Sequence, residues 1–404
     1  MKLSLKMQLN KKALALLGAM ALGLSAAAAA PDSVATAAGA PLQWRVGVEA
    51  LPAVVPGSNG FLRGDNLQGR RIGGSLSGSV RADFSFGSSS REGMLYRGLY
   101  QGIGVGVNSF FAGSLLGTPA SVYVYQGAPI ARLGRRLWLG YEWRFGAAFG
   151  WRHHEDAGDE YNNAAVSTAV TAHMGVGLKL HYELSPQWRI AAGIEATHFS
   201  NGNTSLPNAG VNAVGVSLGV SYVINPQPEA PKAPEAIAEE ADRGRWFFDI
   251  MAYGAWRRRA VAVGEDVVLC PGRFGVAGLQ LAPMRSLNRY VAVGGALDLQ
   301  YDESAGLAPY YVESTNGGFV RFYRPPFGKQ LSAGVSAHAE LTMPIFAINA
   351  GLGINMLNPK GDKRFYQMLT LKAFVHRNVF LNVGYRLGRF SDPQNLMLGI
   401  GVRL

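Results

Sequence analysis

Cysteine is almost missing from this sequence. One residue of 404, Cys270, carries a thiol, which excludes an internal disulfide, a cysteine zinc site and an iron–sulfur cluster. Alone, Cys270 reads as a small, partly buried filler and not as a reactive thiol. Charge is scarce too. Asp, Glu, Lys and Arg make up 16% of the chain, against ~25% in an ordinary soluble protein. Beyond the N-terminus no stretch reaches ~18 uninterrupted apolar residues, so no further helical membrane span is expected. Apolar residues, at 48%, and glycine, at 52 residues, are plentiful. That content is too apolar for disorder, and too charge-poor for a typical cytosolic enzyme. A prior of ~150 residues per domain predicts two or three domains.

The first thirty residues read as an address. Lys2, Lys6, Lys11 and Lys12 make a basic start, and Ala13 to Ala30 is an apolar run ending in small residues. This is the layout of a secretory signal peptide over residues 1–30. The run is short, alanine-rich and followed by polar residues, which argues against a permanent anchor. Losing those four lysines takes the formal charge from +11 to +7. That excess suits a surface of anionic lipid or phosphate. The exported chain shows no clustered basic stripe for nucleic acid.

Alternation of apolar and polar residues then recurs. It spans Leu42–Pro56, Arg71–Phe86, Gly98–Phe111, Ala120–Leu133, Leu137–Trp151, Ala169–Leu184, Trp188–Ser200 and Val211–Ile224. After a gap it spans Trp246–Val263, Gly272–Met284, Tyr290–Tyr301, Leu331–Met343, Phe346–Leu357, Phe365–Val375, Val379–Phe390 and Asn395–Leu404. These are about sixteen strands of barrel-spanning length. Connections after even-numbered strands are short (GRR, SPQ, MPI, HRN). Those after odd-numbered strands are mostly longer and polar, such as RHHEDAGDEYNN and the stretch from Asp302 to Lys329. Short turns at one end and long loops at the other mark an outer-membrane β-barrel, and strands in lipid must close on themselves. Such barrels usually end on an aromatic residue, so Leu404 is a departure.

Residues 226–243 are rich in Pro, Ala and Glu and do not alternate. They read as a solvated linker on the short-turn, periplasmic side. The fold class expected is all-β, a transmembrane antiparallel β-barrel. The arrangement that fits best is two tandem eight-stranded barrels, residues 41–225 and 244–404. The alternative is one barrel of about sixteen strands.

Chemistry-bearing residues gather at the end of the seventh strand. Trp188, Ile190, Ala192, Ile194, Ala196, His198 and Ser200 share the apolar, lipid-facing phase. In the eighth, Asn212 shares its outward phase with Val214, Val216, Leu218 and Val220. Polar groups on a lipid-facing row are costly unless they pair or work. His198 alone would read as an interfacial histidine. With Ser200, Asn201, Asn208 and Asn212 in one hairpin, a nucleophile and its base are the better reading. Such a pair needs a group that holds the imidazole and a donor for the oxyanion.

The run from His198 through Ser200, Asn201, Pro207, Asn208 and Gly210 to Asn212 resembles the active-site hairpin of the PagL-type lipid A deacylases, outer-membrane acyloxyacyl-hydrolase-like barrels. The architectural resemblance covers about Leu42 to Ile224; the motif is this hairpin. It implies a serine esterase, a carboxylic-ester hydrolase of the Gram-negative outer membrane, that removes an ester-linked acyl chain from lipid A of lipopolysaccharide. On that resemblance Ser200 is the nucleophile, His198 the general base and Asn208 the oxyanion-stabilising amide, with Asn201, Pro207 and Gly210 placed against substrate. The family has a glutamate where this chain has Asn212. An amide can orient an imidazole but cannot stabilise imidazolium by charge, so activity is in doubt. Glu195 falls on the inward phase and is no easy substitute.

The second half echoes the first. Gly388-Arg389-Phe390-Ser391-Asp392-Pro393 aligns RFSD with HFSN, and Arg389 cannot act as a base. The C-terminal half is therefore expected to be a degenerate second copy in the family's extended form, lacking the site. Two other readings stand beside the esterase: a non-catalytic barrel that binds lipopolysaccharide or is structural, and a small pore, which eight filled strands argue against. No cofactor and no metal are expected. His153, His154, Glu155, Asp156, Asp159 and Glu160 crowd one loop but lack calcium-loop spacing. Arg132, Arg135 and Arg136 fall at a short turn and read as exposed. Arg257, Arg258 and Arg259 fall in the outer part of the ninth strand, where they could meet phosphate. The partners expected are lipopolysaccharide, its lipid A and outer-membrane lipids, not nucleic acid; a homodimer stays open.

Overall fold

A computed structural model describes residues 40–154, 163–263, 266–312, 319–359, 364–388, 390 and 392–404. The expected signal peptide lies outside these residues. So do Glu155, Asp156, Asp159 and Glu160, and Arg389 and Ser391.

The first closed barrel comprises β1 (Gln43–Val54), β2 (Gly74–Ser85), β3 (Tyr100–Ser109), β4 (Gly117–Arg132), β5 (Leu137–Trp151), β6 (Val170–Glu183), β7 (Trp188–Ser200) and β8 (Val211–Val223). Neighbours pair antiparallel, and β1 closes on β8 with Arg45 opposite Val223 and Val54 opposite Val214. The outward phase is apolar and exposed, for example Val48, Val80, Val105, Val176, Ile194 and Val216. With lipid outside, the polar residues must turn inward and pair there.

They do so in one network. Arg144 Nη2 lies 2.7 Å from Glu49 Oε1 and 2.7 Å from Glu195 Oε2. Lys179 Nζ lies 2.7 Å from Glu142 Oε1. Arg81 bonds both Glu49 and Glu142, and its guanidinium sits over the Tyr125 ring. Three cations thus face three carboxylates drawn from five strands. Two cavities among these side chains measure about 10 Å³ and about 50 Å³, room for isolated waters.

The second closed barrel comprises β9 (Trp246–Arg257), β12 (Phe274–Ser286), β13 (Val291–Asp302), β16 (Leu331–Thr342), β17 (Phe346–Leu357), β18 (Phe365–Phe374), β19 (Val379–Gly388) and β20 (Asp392–Arg403), with β9 closing on β20. Two separate closures rule out a single ring of about sixteen strands. Inside, Lys372 Nζ bridges Asp249 at 2.7 Å and Glu340 at 2.6 Å, and Arg403 reaches the same two carboxylates.

Three expectations need correction here. The alternation from Trp246 to Val263 is not one strand: it breaks after Arg257, and β10 (Ala260–Val263) pairs with β11 (Asp266–Leu269) as a hairpin outside the barrel. The stretch Asp302–Lys329 is not plain loop, because β14 (Ala308–Val312) pairs with β15 (Phe319–Tyr323). Arg257 is not available to phosphate. Its guanidinium turns inward, 2.8 Å from Asp302 and 2.9 Å from Ser304, and Arg259 donates to the Ser304 carbonyl. Cys270 is 1% exposed, packed with Phe274 and Leu307, and burial pushes its thiol up.

The linker holds a short helix, Glu235–Asp242, with no buried residue. Its start is fastened to the short-turn end of the first barrel: Glu229 pairs with Arg97 and Arg132. In the second unit, Asp242 accepts from Arg289, and that hydrogen bonding holds its carboxyl down at about 2.

Candidate active site

The geometry follows from β7 and β8. Along β7, Trp188, Ile190 and Ile194 are exposed while Glu195, Thr197 and Phe199 are buried. His198 and Ser200 fall on the exposed phase and are half-buried. In the antiparallel register His198 lies directly across from Asn212, so their side chains leave the sheet on one face. His198 Nδ1 is 2.7 Å from Asn212 Oδ1. An amide oxygen only accepts, so Nδ1 carries the proton and donates. The neutral imidazole then keeps its lone pair on Nε2, the nitrogen free to act as a base.

Asn208 Nδ2 donates to Ser200 Oγ at 3.1 Å. The backbone N–H of Asn201 donates to Asn208 Oδ1 at 3.1 Å, which fixes which end of the amide faces the hydroxyl. A hydroxyl, an amide donor beside it and a tautomer-fixed imidazole therefore share one outer rim at the long-loop end.

The supports are structural and local. Phe199, between His198 and Ser200 but on the inward phase, stacks on His173 with centroids 4.7 Å apart and meets Trp151 and Phe110. Gly210 has φ +72°, and a Cβ there would come within 2.9 Å of His198 Cε1. Its N–H donates to the Ala165 carbonyl at 3.0 Å, and its carbonyl accepts from Asn59 Nδ2 at 3.3 Å. Asn59 also caps the helix Gly60–Arg63 through Leu62 N–H, so the first long loop clasps the site hairpin. Sequence reasoning missed Asn59, since nothing in the chain ties residue 59 to residue 210.

The residues expected against substrate divide. Pro207 is half-buried at the rim. Asn201 is 5% exposed and its side-chain amide donates to Ser167 Oγ at 3.0 Å. Asn201 and Gly210 are both buried and hydrogen-bonded within the protein beside the hydroxyl and the imidazole.

Two other clusters resemble sites. Glu49, Glu142 and Glu195 bring carboxylate oxygens close enough to hold a metal. Arg81, Arg144 and Lys179 already occupy that space and its charge. In the second barrel Ser336 Oγ is 2.8 Å from His338 Nε2, and His338 Nδ1 is 2.6 Å from Asn349 Oδ1. This row faces the lumen. All three residues are buried, at 8%, 5% and 2% exposure, and Ser336 also bonds Asp298 and is closed in by Tyr366. A lipid ester cannot reach it.

A family model described as lipid A 3-O-deacylase (PagL) matches residues 42–221. A second, described as acyloxyacyl hydrolase, C-terminal domain, matches residues 246–404. No curated protein matches the chain. Among solved structures, the toluene transporter TodX of Pseudomonas putida is similar at 12% identity over 93% of this chain and 89% of that one, with a TM-score of 0.18. The siderophore receptor PirA of Acinetobacter baumannii is similar at 8% identity over 89% and 70%, with a TM-score of 0.24. TM-scores this low carry no argument about activity.

Proposed function

The chain belongs to the PagL lipid A deacylase family, in a form extended by the family's C-terminal domain, and from that premise we propose that it is an outer-membrane serine esterase that removes an acyl chain from lipid A at the outer leaflet. The observation that carries this reading is the outward-facing set Ser200, Asn208, His198 and Asn212, held at 3.1 Å and 2.7 Å. A glycolipid diffusing in the leaflet arrives sideways, against the wall of the barrel. A site on that wall meets its ester without the substrate entering a lumen that is filled.

Ser200 Oγ attacks the ester carbonyl as His198 Nε2 takes its proton. The negative charge that develops on the carbonyl oxygen is received by the Asn208 amide. The imidazolium returns the proton to the departing sugar hydroxyl, leaving an acyl group on Oγ. Water, deprotonated by the same nitrogen, then releases the fatty acid and restores the hydroxyl. The 3-O ester named by the family model is the bond we assign.

Asn212 limits the rate on this reading. Its oxygen orients Nδ1–H but brings no charge to the imidazolium. Asn212→Glu is therefore expected to raise acyl release by about tenfold or more, since a charged partner to a charged donor adds about 1.5–3 kcal/mol. Mass spectra of lipid A from reconstituted membranes read the rate; no change, or a loss, counts against the assigned position of Asn212. Gly210→Ala tests the other side of the ring. The new methyl group meets Cε1 in a backbone conformation that disfavours L side chains. We expect acyl release to fall by about 10–100-fold, the effect of a displacement of about 1 Å in a catalytic group, with the barrel still heat-modifiable on gels.

The Asn212 amide also favours a second reading, a barrel that binds lipopolysaccharide without hydrolysing it. Unaltered lipid A masses with correctly inserted wild-type protein would select that reading. The C-terminal barrel we take as a second copy without a site, since its Ser–His–Asn row is enclosed.

A further inference from the structure

The extra hairpin β14–β15 leaves the second barrel between Asp302 and Leu331, where β13 and β16 end at the long-loop side. A two-stranded hairpin is marginal alone, and this one is braced. Phe322, on one face, packs with Val261 of β10 against Cys270, Phe274 and Leu307. The two outer hairpins thus share a small apolar core.

Among the described residues, the opposite face carries no such cover. The register sets Tyr310 opposite Arg321, Ala308 opposite Tyr323 and Val312 opposite Phe319. Directly opposed residues share a face, so Tyr310, Phe319, Arg321 and Tyr323 form one surface. The three rings are exposed, at 47%, 43% and 55%, and the Arg321 guanidinium lies over the Phe319 ring, 5.1 Å from its centroid. Aromatic planes around a planar cation are not the chemistry of acyl chains, which would be met by Leu, Ile and Val. Those residues cover the barrel strands β13 and β16 instead, at Leu297, Leu299 and Val335. Above that band, a ring can cover the C–H face of a sugar, and a guanidinium pairs with phosphate through two parallel hydrogen bonds.

We propose that the face formed by Tyr310, Phe319, Arg321 and Tyr323 is a docking platform for the phosphorylated sugar headgroup of lipopolysaccharide in the outer leaflet. The choice of that glycolipid rests on the deacylase reading above; the platform itself lies in the other barrel and does no chemistry. It gives the C-terminal barrel, which carries no outward-facing counterpart of the Ser200 hairpin among its described residues, a part in holding substrate at the surface.

The test uses the full chain with Ser200→Ala, so that binding is measured without turnover. The probes are purified lipopolysaccharide and its O-deacylated form, which keeps the sugars and phosphates but has no ester-linked chains. We expect both to bind, and Arg321→Ala with Tyr323→Ala to weaken both by about tenfold or more, because the pair removes a charge-assisted hydrogen-bond donor and a ring face together. Arg321→Gln keeps the side chain's bulk and should cost about threefold or more, which covers the case that the double variant fails to insert. An unchanged dissociation constant overturns the proposal. So does competition by inorganic phosphate with none by the O-deacylated probe, or a shift from dimer to monomer with unchanged binding, which would make the face a contact between proteins. Loss of acyl release in Ser200→Ala is a separate result: if release does not depend on Ser200, the esterase reading fails while the binding data stand.

Discussion

Ser200→Ala is expected to abolish acyl release, by about a thousandfold or more, while leaving the barrel folded. Removing the nucleophile of a hydroxyl–imidazole pair takes away the covalent route, and what remains is the small effect of binding and oxyanion donors. The folded state should hardly notice. The hydroxyl is half-buried on the outer phase, and Asn208 keeps its bond to the Asn201 backbone. His198→Ala should fall by a similar amount, because the two groups act as a unit and their losses do not add. Lipid A mass spectra from membranes containing wild type and each variant read the outcome directly. Persistence of the lighter, deacylated species in Ser200→Ala would mean that another group does the chemistry.

The largest effect on stability is expected inside the first barrel. Arg144 touches Glu49, Glu142 and Glu195 at 2.7, 3.3 and 2.7 Å, with its side chain 5% exposed. Arg144→Met leaves one carboxylate in excess among side chains that are almost wholly buried. Breaking one partner out of a buried pair costs about 3–5 kcal/mol. We expect the denaturant midpoint for loss of heat-modifiable migration to drop accordingly. Arg245, paired with Glu240 at the surface, is the contrast: both side chains are more than half exposed, and Arg245→Ala should change stability by less than about 1 kcal/mol. Equal effects would mean that the interior network does not hold the barrel together.

The two classes of effect mirror what could be read from the chain alone. The barrel strands were legible because lipid imposes a two-residue period on every one of them, and because short and long connections alternate. The phase of β7 was legible for the same reason, and it places His198, Ser200 and Asn212 on one face as expected. The interior was not legible. Glu49, Arg81, Glu142, Lys179 and Glu195 lie on five different strands, and only the register says who meets whom. The outer hairpins were hidden by their brevity: β10 continues the alternation of β9 past Arg257, so the bend leaves no mark. The helix Glu235–Asp242 was masked by the prolines before it, although EAIAEEAD is rich in good helix formers. Asn59 shows the general limit. Its tie to Gly210 spans 151 positions and is made only when the first loop folds over the last hairpin.

One measurement bears most directly on the claim that this outward rim holds a reactive hydroxyl. The full-length protein in liposomes is treated with a long-chain alkyl sulfonyl fluoride, which enters the bilayer and sulfonylates an activated serine with loss of fluoride. Peptide mass spectrometry then locates the adduct. The account predicts a single adduct on Ser200, absent when His198 is replaced by alanine. An unmodified Ser200, or equal labelling without the imidazole, would contradict it.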